Sequence, residues 1–525
     1  MNIAWNIPLF TIVLSLFSGV LCMMLNPKAA RIYTVFFESV LILLVSRVLY
    51  FTWLEGDFTY KMGEFPAPWG NEIRAGVLES VIALTFLVIL LCSVLGGFHF
   101  LSIDIDESKI NLYFSLLNLL TSALMAMTWT NDIFTGYVFL EILTLTSCGI
   151  LIVREIGRTT LAAVRYMILN LLGSGLFLLG VVLLYDLTGQ LLMVPMKETL
   201  AQLAQDPGSI PVISLSVGIL TVGLGIKSGL FPFHFWMPDT YGWATPTSAS
   251  VLSALVSKAY IFLLFKIYYR SIGLDVIART PLPDLLFALG ICGMVVGSLQ
   301  AMRANTINRM VAFSSAAQIG YIYMGIGFGT TASIAAAMFQ ILAHAVTKSL
   351  LFLSTPYLAE ASGDSLLFRA LQGSGRRDRK AGFFFTVGSL SMIGIPIFAG
   401  FSAKLLFAQA AVTGGSAERM FLVLGALAVS SLLNAMYFVR TLIRIYSDGA
   451  SRPAADVSAA EDTAKNETSQ AQAAVQGTAE LPMKRTTGHA LYEIAALILT
   501  AMNLFLGLFS WAVMDLIYRG LAMFG

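Results

Sequence analysis

Apolar windows of about 20 residues recur along nearly the whole chain, and no water-soluble core could hide them all. The first runs from Ile7 to Leu25 with no basic region before it, so it reads as a retained helix and not a cleaved signal. Others lie near 30–54, 76–98, 110–129, 132–153, 160–186, 211–237, 246–269, 284–302, 309–329, 332–357, 382–411, 418–445 and 489–517. The expectation is an all-α polytopic membrane protein with about fourteen spans. Composition agrees, because only 12% of the 525 residues are charged while 57% are hydrophobic, a balance foreign to soluble chains of this length. The net charge of +2 decides nothing and offers no basic face for nucleic acid.

Charge becomes informative loop by loop. Alternating the connections puts Arg154, Arg158 and Arg165, the run Arg376 to Lys380, and Lys484-Arg485 on one side. The positive-inside rule makes that side cytoplasmic, so both termini face outward, and an even number of spans agrees in putting them on the same side. Residues 55–74 alternate turn formers with aromatics and read as an external hairpin. Residues 192–206 read as an amphipathic piece at the outer surface. The stretch 448–487 has no aromatic residue and is rich in Ala, Ser, Thr, Gln, Asp and Glu, so it is expected to be a disordered cytoplasmic loop. Its sequon at Asn466 would go unused there.

Two lysines sit in apolar runs that also contain a proline. One run reads Gly223-Leu-Gly-Ile-Lys227-Ser-Gly-Leu-Phe231-Pro232, the other Pro396-Ile-Phe-Ala-Gly400-Phe-Ser-Ala-Lys404-Leu-Leu-Phe407. An ammonium in mid-bilayer costs about 2.5–3.5 kcal/mol on insertion scales, and each lysine follows a glycine by four residues. Helix breaks in lipid survive only where protein or water serves the freed backbone groups, so Pro232 and Pro396 mark interior positions. The matched surroundings suggest two inverted five-helix repeats, spans 4–8 and 9–13, with helices 7 and 12 discontinuous. The chain then divides into a three-span segment 1–109 with its hairpin, repeats at 110–270 and 284–446, the loop 448–487, and a last span within 488–525.

The ionisable groups read as buried within the windows are Glu141, Lys227, Lys258, His344, Lys348 and Lys404. A lone carboxylate at 141 needs a cation, and Lys227 is the natural one. At about 4 Å and an effective dielectric near 20 they attract by about 4 kcal/mol, close to the insertion cost, so such a pair can open and close. Relaying a proton also requires a lysine to give it up, which desolvation favours and an approaching carboxylate opposes. The competing reading is a static pair that only fixes helix packing. His344 and Lys348, four residues apart, share one helix face, and histidine suits a relay; a satisfied core histidine is the alternative. Lys258 is too deep to snorkel easily and reads as a relay group. His234 follows the first break and reads as structural or access-related, while Glu79 divides evenly between pairing and transport. Glu38, Arg47 and Glu493 read as packing groups, and His99 and His489 as solvated span ends. Cys22, Cys92, Cys148 and Cys292 lack CxxC spacing and read as apolar filler, with no iron–sulfur or zinc ligation expected of them.

The stretch Lys227-Ser-Gly-Leu-Phe-Pro-Phe-His-Phe-Trp-Met-Pro-Asp239, continuing to Ala244-Thr-Pro-Thr-Ser248 and Lys258, resembles the central motif of the antiporter-like membrane subunits shared by respiratory complex I, Mrp-type sodium/proton antiporters and membrane-bound hydrogenases. Arg309 to Tyr321, His344 to Phe352, Gly394-Ile-Pro and Phe401-Ser-Ala-Lys404 resemble its later motifs, and Tyr60 to Arg74 its external hairpin. The resemblance implies a fourteen-helix core with a half-channel in each repeat. It also implies a glutamate–lysine pair at Glu141 and Lys227, relays at Lys258, His344 and Lys348, and an exit lysine at Lys404. Lysine at 404 differs from the glutamate of one complex I paralogue type. The chain departs from the family in reading Arg74-Ala-Gly-Val-Leu-Glu79 where many members carry an aspartate, and in the 448–487 insertion.

The resulting expectation is a proton-translocating subunit of a larger complex in a prokaryotic-type plasma membrane. It would work beside other integral membrane subunits, move protons and optionally Na+ or K+, and hold no cofactor, since no Rossmann, cluster or haem motif is present. An Mrp-type antiporter subunit is the first reading and a complex I-type or hydrogenase subunit the second. A stand-alone secondary solute transporter is the rival from another class.

Overall fold

The computed structural model describes residues 3–62, 65, 70–414, 416–447 and 485–524. Among them, thirteen helices are long and apolar enough to cross a membrane. The chain opens with α1 (Ile7–Met24) and α2 (Pro27–Glu55), capped by the Asn26 side chain. A hairpin of β1 (Phe58–Lys61) and β2 (Glu72–Ala75) follows, pairing Phe58 with Ala75 and Lys61 with Glu72. Then come α3 (Val77–Asp104), α4 (Ile110–Trp129), α5 (Ile133–Ile152) and α6 (Gly157–Thr188). The short α7 (Met193–Leu203) lies where an amphipathic piece was expected and buries Met193, Met196 and Leu200, one apolar stripe.

Next in order are α8 (Ile210–Ser228), α9 (Met237–Trp243), α10 (Pro246–Val251) and α11 (Ser257–Lys266), then the short α12 (Leu274–Ile277). Two π-helical turns, Leu252–Val256 and Ile267–Ile272, flank α11. The remainder comprises α13 (Leu282–Arg303), α14 (Ile307–Phe328), α15 (Thr331–Glu360), α16 (Ser374–Arg377), α17 (Arg379–Ile393), α18 (Ala399–Gly414) and α19 (Ala417–Tyr446). The last elements are α20 (Arg485–Leu508) and α21 (Ser510–Ala522). Helices α17 and α18, of 15 and 16 residues, are each short of the roughly 20 a crossing needs. Read end to end they supply the span expected at 382–411, so about fourteen spans stand.

One difference concerns the C-terminal region. The 489–517 window is divided at Phe509, and the 13-residue α21 packs its Val513, Met514 and Ile517 inward, resting on α3 and α15. The disordered loop expected at 448–487 falls, through residue 484, outside the described residues. Among the cysteines, Cys22, Cys92 and Cys148 are buried as expected, whereas Cys292 is exposed.

The spans are unequal in their surroundings. Within its most apolar window α2 is 28% buried, whereas the span Pro246–Ile272 and helix α15 are 100% buried. Protein encloses these two on every side, so they can carry polar groups that lipid would reject.

Candidate functional site

Both breaks end in the same cap. At the end of α8, Gly229 takes φ +80°, and the N–H groups of Gly229 and Leu230 both donate to the Gly225 carbonyl, at 3.1 and 2.9 Å. At the end of α17, Gly394 takes φ +93°, and the N–H groups of Gly394 and Ile395 both donate to the Leu390 carbonyl, each at 3.0 Å. Left-handed backbone at a helix end favours glycine and closes the last turn. Pro232 and Pro396 lie just past these caps, where a missing N–H costs nothing. The Trp236 indole N–H donates to the Ile226 carbonyl at 3.2 Å, serving another freed acceptor at the first break.

The lysines differ in placement. Lys227 precedes its break, on α8, while Lys404 follows its break, on α18. The Lys404 ammonium reaches back to the carbonyls of Met392 at 3.2 Å and Ile393 at 2.6 Å. It therefore satisfies the end of α17 across the gap and lies over the Tyr321 ring, 5.9 Å from its centroid. On the other side of the gap, Asn503 of α20 accepts from the Ala399 N–H at 3.3 Å and donates to Thr347 Oγ1 and Ser391 Oγ at 2.8 and 3.1 Å. Ile397, inside the gap, has φ +86°, a rare conformation for a β-branched residue. Gly507 lies so close to the Ile397 carbonyl that a Cβ there would meet the oxygen at 1.9 Å.

Lys227 is fully buried and donates to Thr144 Oγ1 at 2.7 Å, with the Tyr260 hydroxyl 3.1 Å from that same oxygen. The direct Glu141–Lys227 ion pair expected from sequence is absent. Glu141 stands one turn before Thr144 on the same face of α5, within electrostatic reach of the ammonium but not in contact with it. Its Oε1 is buried without a hydrogen-bond partner among the described residues. Thr144 holds the place that the carboxylate was expected to take.

Lys258 and Lys348 are both fully buried. Lys258 donates to the Ser253 carbonyl, within the first π-helical turn. Such turns expose backbone groups and recur at functional positions. Ser253 Oγ lies 2.9 Å from Ser315 Oγ on α14, and Ser315 donates to the Val311 carbonyl at 3.2 Å. Lys348 donates to that same carbonyl at 2.8 Å and to Ser314 Oγ. Backbone and serine hydroxyls therefore join the two lysines across α14. His344, one turn before Lys348, is buried, and neither of its ring nitrogens has a hydrogen-bond partner among the described residues. It lines a cavity of about 10 Å³ with Gln318, Gln340, Thr347, Ser391 and Lys404, space for about one water. His344 and Lys404 therefore meet at one polar pocket.

His234 and Glu79 lie off this axis. His234 Nε2 is 2.7 Å from Gln300 Oε1 on α13, and its ring stacks on Phe231 at 5.7 Å. Glu79 pairs with Arg74, whose guanidinium also reaches Asp57 at 2.9 Å and the Met523 carbonyl. Beside them sit Lys266, which donates to the carbonyls of Thr128 and Thr130, and Arg270, whose Nε donates to Asn131 Oδ1 at 2.8 Å. Sequence reasoning missed Lys266 and Asn503, and the window expected at 246–269 stops one residue short of Arg270. The only signal was a polar residue near the edge or centre of an apolar window.

A family model described as "NADH:quinone oxidoreductase/Mrp antiporter, TM" matches residues 130–432. NADH-quinone oxidoreductase subunit N of Desulforudis audaxviator is 30% identical over 399 residues, 75% of this chain and 77% of that protein. A Na(+)/H(+) antiporter subunit of Bacillus subtilis is 27% identical over 444 residues, 84% of this chain and 87% of that protein. A chain in the solved Mrp complex from Dietzia sp. DQ12-45-1b shares the fold, with a TM-score of 0.82, 20% identity, and coverage of 99% of this chain and 97% of that one.

Proposed function

Because the chain belongs to the NADH:quinone oxidoreductase/Mrp antiporter transmembrane family, we propose that it carries protons along Glu141, Lys227, Lys258, Lys348, His344 and Lys404. The observation that carries this reading is the near-continuous run of buried polar contacts from Thr144 to Lys404, whose middle part runs through Pro246–Ile272 and α15, which protein encloses on all sides. Small shifts of α5 along α8 exchange Thr144 for Glu141 against the Lys227 ammonium. With the carboxylate in place the proton is held, and with the hydroxyl in place it is released toward Tyr260. Lys258 sits two residues from Tyr260 on α11. The serines of α14 lead on to Lys348, and the pocket shared by His344 and Lys404 closes the path. The matched glycine caps support reading the two five-helix units as inverted repeats.

The reading places the chain in a prokaryotic plasma membrane, with both termini outside and integral membrane subunits beside it. An Mrp-type cation/proton antiporter subunit is favoured because the Bacillus subtilis relative aligns over 84% of the chain. The second reading, a proton-pumping subunit of a complex I-type oxidoreductase, is supported by the 30% identity to the Desulforudis audaxviator protein. Affinity purification separates them. Co-purifying redox subunits and proton uptake coupled to oxidation of a reduced carrier favour the second. Exchange of Na+ or K+ for protons without redox partners favours the first. Transport by the single chain in liposomes would instead indicate a stand-alone transporter. The relay is tested by pH-jump flux in vesicles holding the whole complex, comparing wild type with Lys227→Ala, Lys404→Ala and Glu141→Ala. Unchanged flux in all three overturns it.

A further inference from the structure

Three side chains that the relay does not use converge at the ends of three helices. His99 lies near the end of α3, Glu360 is the last residue of α15, and His489 lies near the start of α20. His99 Nε2 is 3.6 Å from Glu360 Oε1, and His489 Nε2 is 3.8 Å from Glu360 Oε2. The two imidazole centroids are 5.2 Å apart, and one donor atom from each residue lies within 4.8 Å of the others. Neither separation is a hydrogen bond, which would need about 3.2 Å or less. His99 Nε2 is buried and has no hydrogen-bond partner among the described residues.

We propose that His99, Glu360 and His489 form a binding site for one divalent transition cation of the zinc class. Two imidazoles and a carboxylate are the donor set that zinc accepts, with a fourth position left for water. Calcium and magnesium prefer oxygen donors throughout. Donors at about 2.0–2.1 Å from a tetrahedral zinc lie about 3.3 Å from one another, so the three donor atoms, which lie within 4.8 Å of one another, draw in by up to about 1.5 Å to hold it. Aromatic rings back the site. The Tyr357 ring is 5.1 Å from His489 and 6.3 Å from His99, and Phe100 meets His99 edge-on at 5.0 Å. These rings hold the imidazole planes and keep water from one side. The other side is open, with side chains 18%, 30% and 35% exposed for His99, Glu360 and His489, which gives an ion access. Gly488 allows the approach, because a Cβ there would meet His99 Cβ at 2.8 Å. The site joins α3, α15 and α20, so a bound cation fastens the helix carrying Asn503 to the one carrying His344 and Lys348. It stands independently of the transport reading.

The test uses the intact complex, purified through a tag without histidine and stripped with chelator, then titrated with Co2+ and Zn2+. The expected result is a saturable cobalt absorption band of four-coordinate intensity and one zinc per chain. His99→Ala with His489→Ala should weaken binding by at least about tenfold, whereas Cys292→Ser, which removes an exposed thiol, should leave it unchanged. A wild-type complex with no saturable cobalt band overturns the proposal without recourse to variants. A double variant that binds like wild type overturns it equally, and if that variant fails to assemble, His99→Gln alone is titrated in its place.

Discussion

The Lys404 ammonium donates to the Ile393 carbonyl at 2.6 Å, eleven residues back and across a helix break. One side chain thus serves both as candidate proton carrier and as the cap that ends α17. Lys404→Met should remove both roles, leaving the Ile393 carbonyl without its donor at about 1–3 kcal/mol and the Met392 carbonyl with the Asn434 amide alone, at 3.4 Å. Thermal unfolding of the purified complex should show the loss. Lys404→Arg should keep most of the stability yet abolish flux, since guanidinium does not release its proton in proteins.

Thr144 is the direct acceptor for Lys227. Thr144→Val should lower proton flux by about tenfold or more, the equivalent of a charge-assisted bond worth about 1.5–3 kcal/mol. Thr144→Ser should stay near wild type. Equal flux in the serine and valine variants would remove the hydroxyl from the path.

Asn503→Leu should strand the Ala399 N–H, whereas Thr347 Oγ1 keeps its bond to the Ala343 carbonyl and Ser391 Oγ keeps the one it accepts from the Gly400 N–H. The cost is about 1–3 kcal/mol for the one group left buried and unbonded. A fall in the unfolding midpoint accompanied by reduced flux is the expected pairing, read from one preparation by scanning fluorimetry and vesicle assay. An unchanged midpoint would show that the second break does not depend on α20.

Arg74→Leu strands the buried Glu79 carboxylate. Removing one member of such a pair costs about 3–5 kcal/mol. Arg74→Leu combined with Glu79→Leu should recover a substantial part of that. The difference, measured as a thermodynamic cycle on unfolding midpoints, separates the pair from the contacts Arg74 makes to Asp57 and Met523.

Much of the architecture was legible because an ionisable residue in an apolar window is conspicuous. Lys227, Lys258, His344, Lys348 and Lys404 stand out for that reason, and Gly-rich, proline-bearing runs announce both breaks. The Thr144–Lys227 contact was not legible. The helical period places Thr144 and Glu141 on one face, and which of them meets the ammonium depends on how α5 is set along α8, which no local pattern encodes. Lys266 and Arg270 escaped notice because they lie within a few residues of the end of the window at 246–269, one inside it and one outside, whereas Ile267–Ile272 continues as a buried π-helical turn. His99 and His489 read as solvated ends in isolation, since only folding brings them to Glu360. Asn503 offered least of all. A single amide in an apolar stretch carries little weight until its partner, 104 residues earlier, is known.

That separation sets an order of events at the ribosome. When the segment around Ala399 has already entered the bilayer, the helix bearing Asn503 has yet to be synthesised, so the second discontinuity must wait, open, for a late arrival. Insertion machinery or a neighbouring subunit has to shelter those amides meanwhile, and chains truncated before α20 should be cleared by membrane proteases even though every titratable member of the path is present.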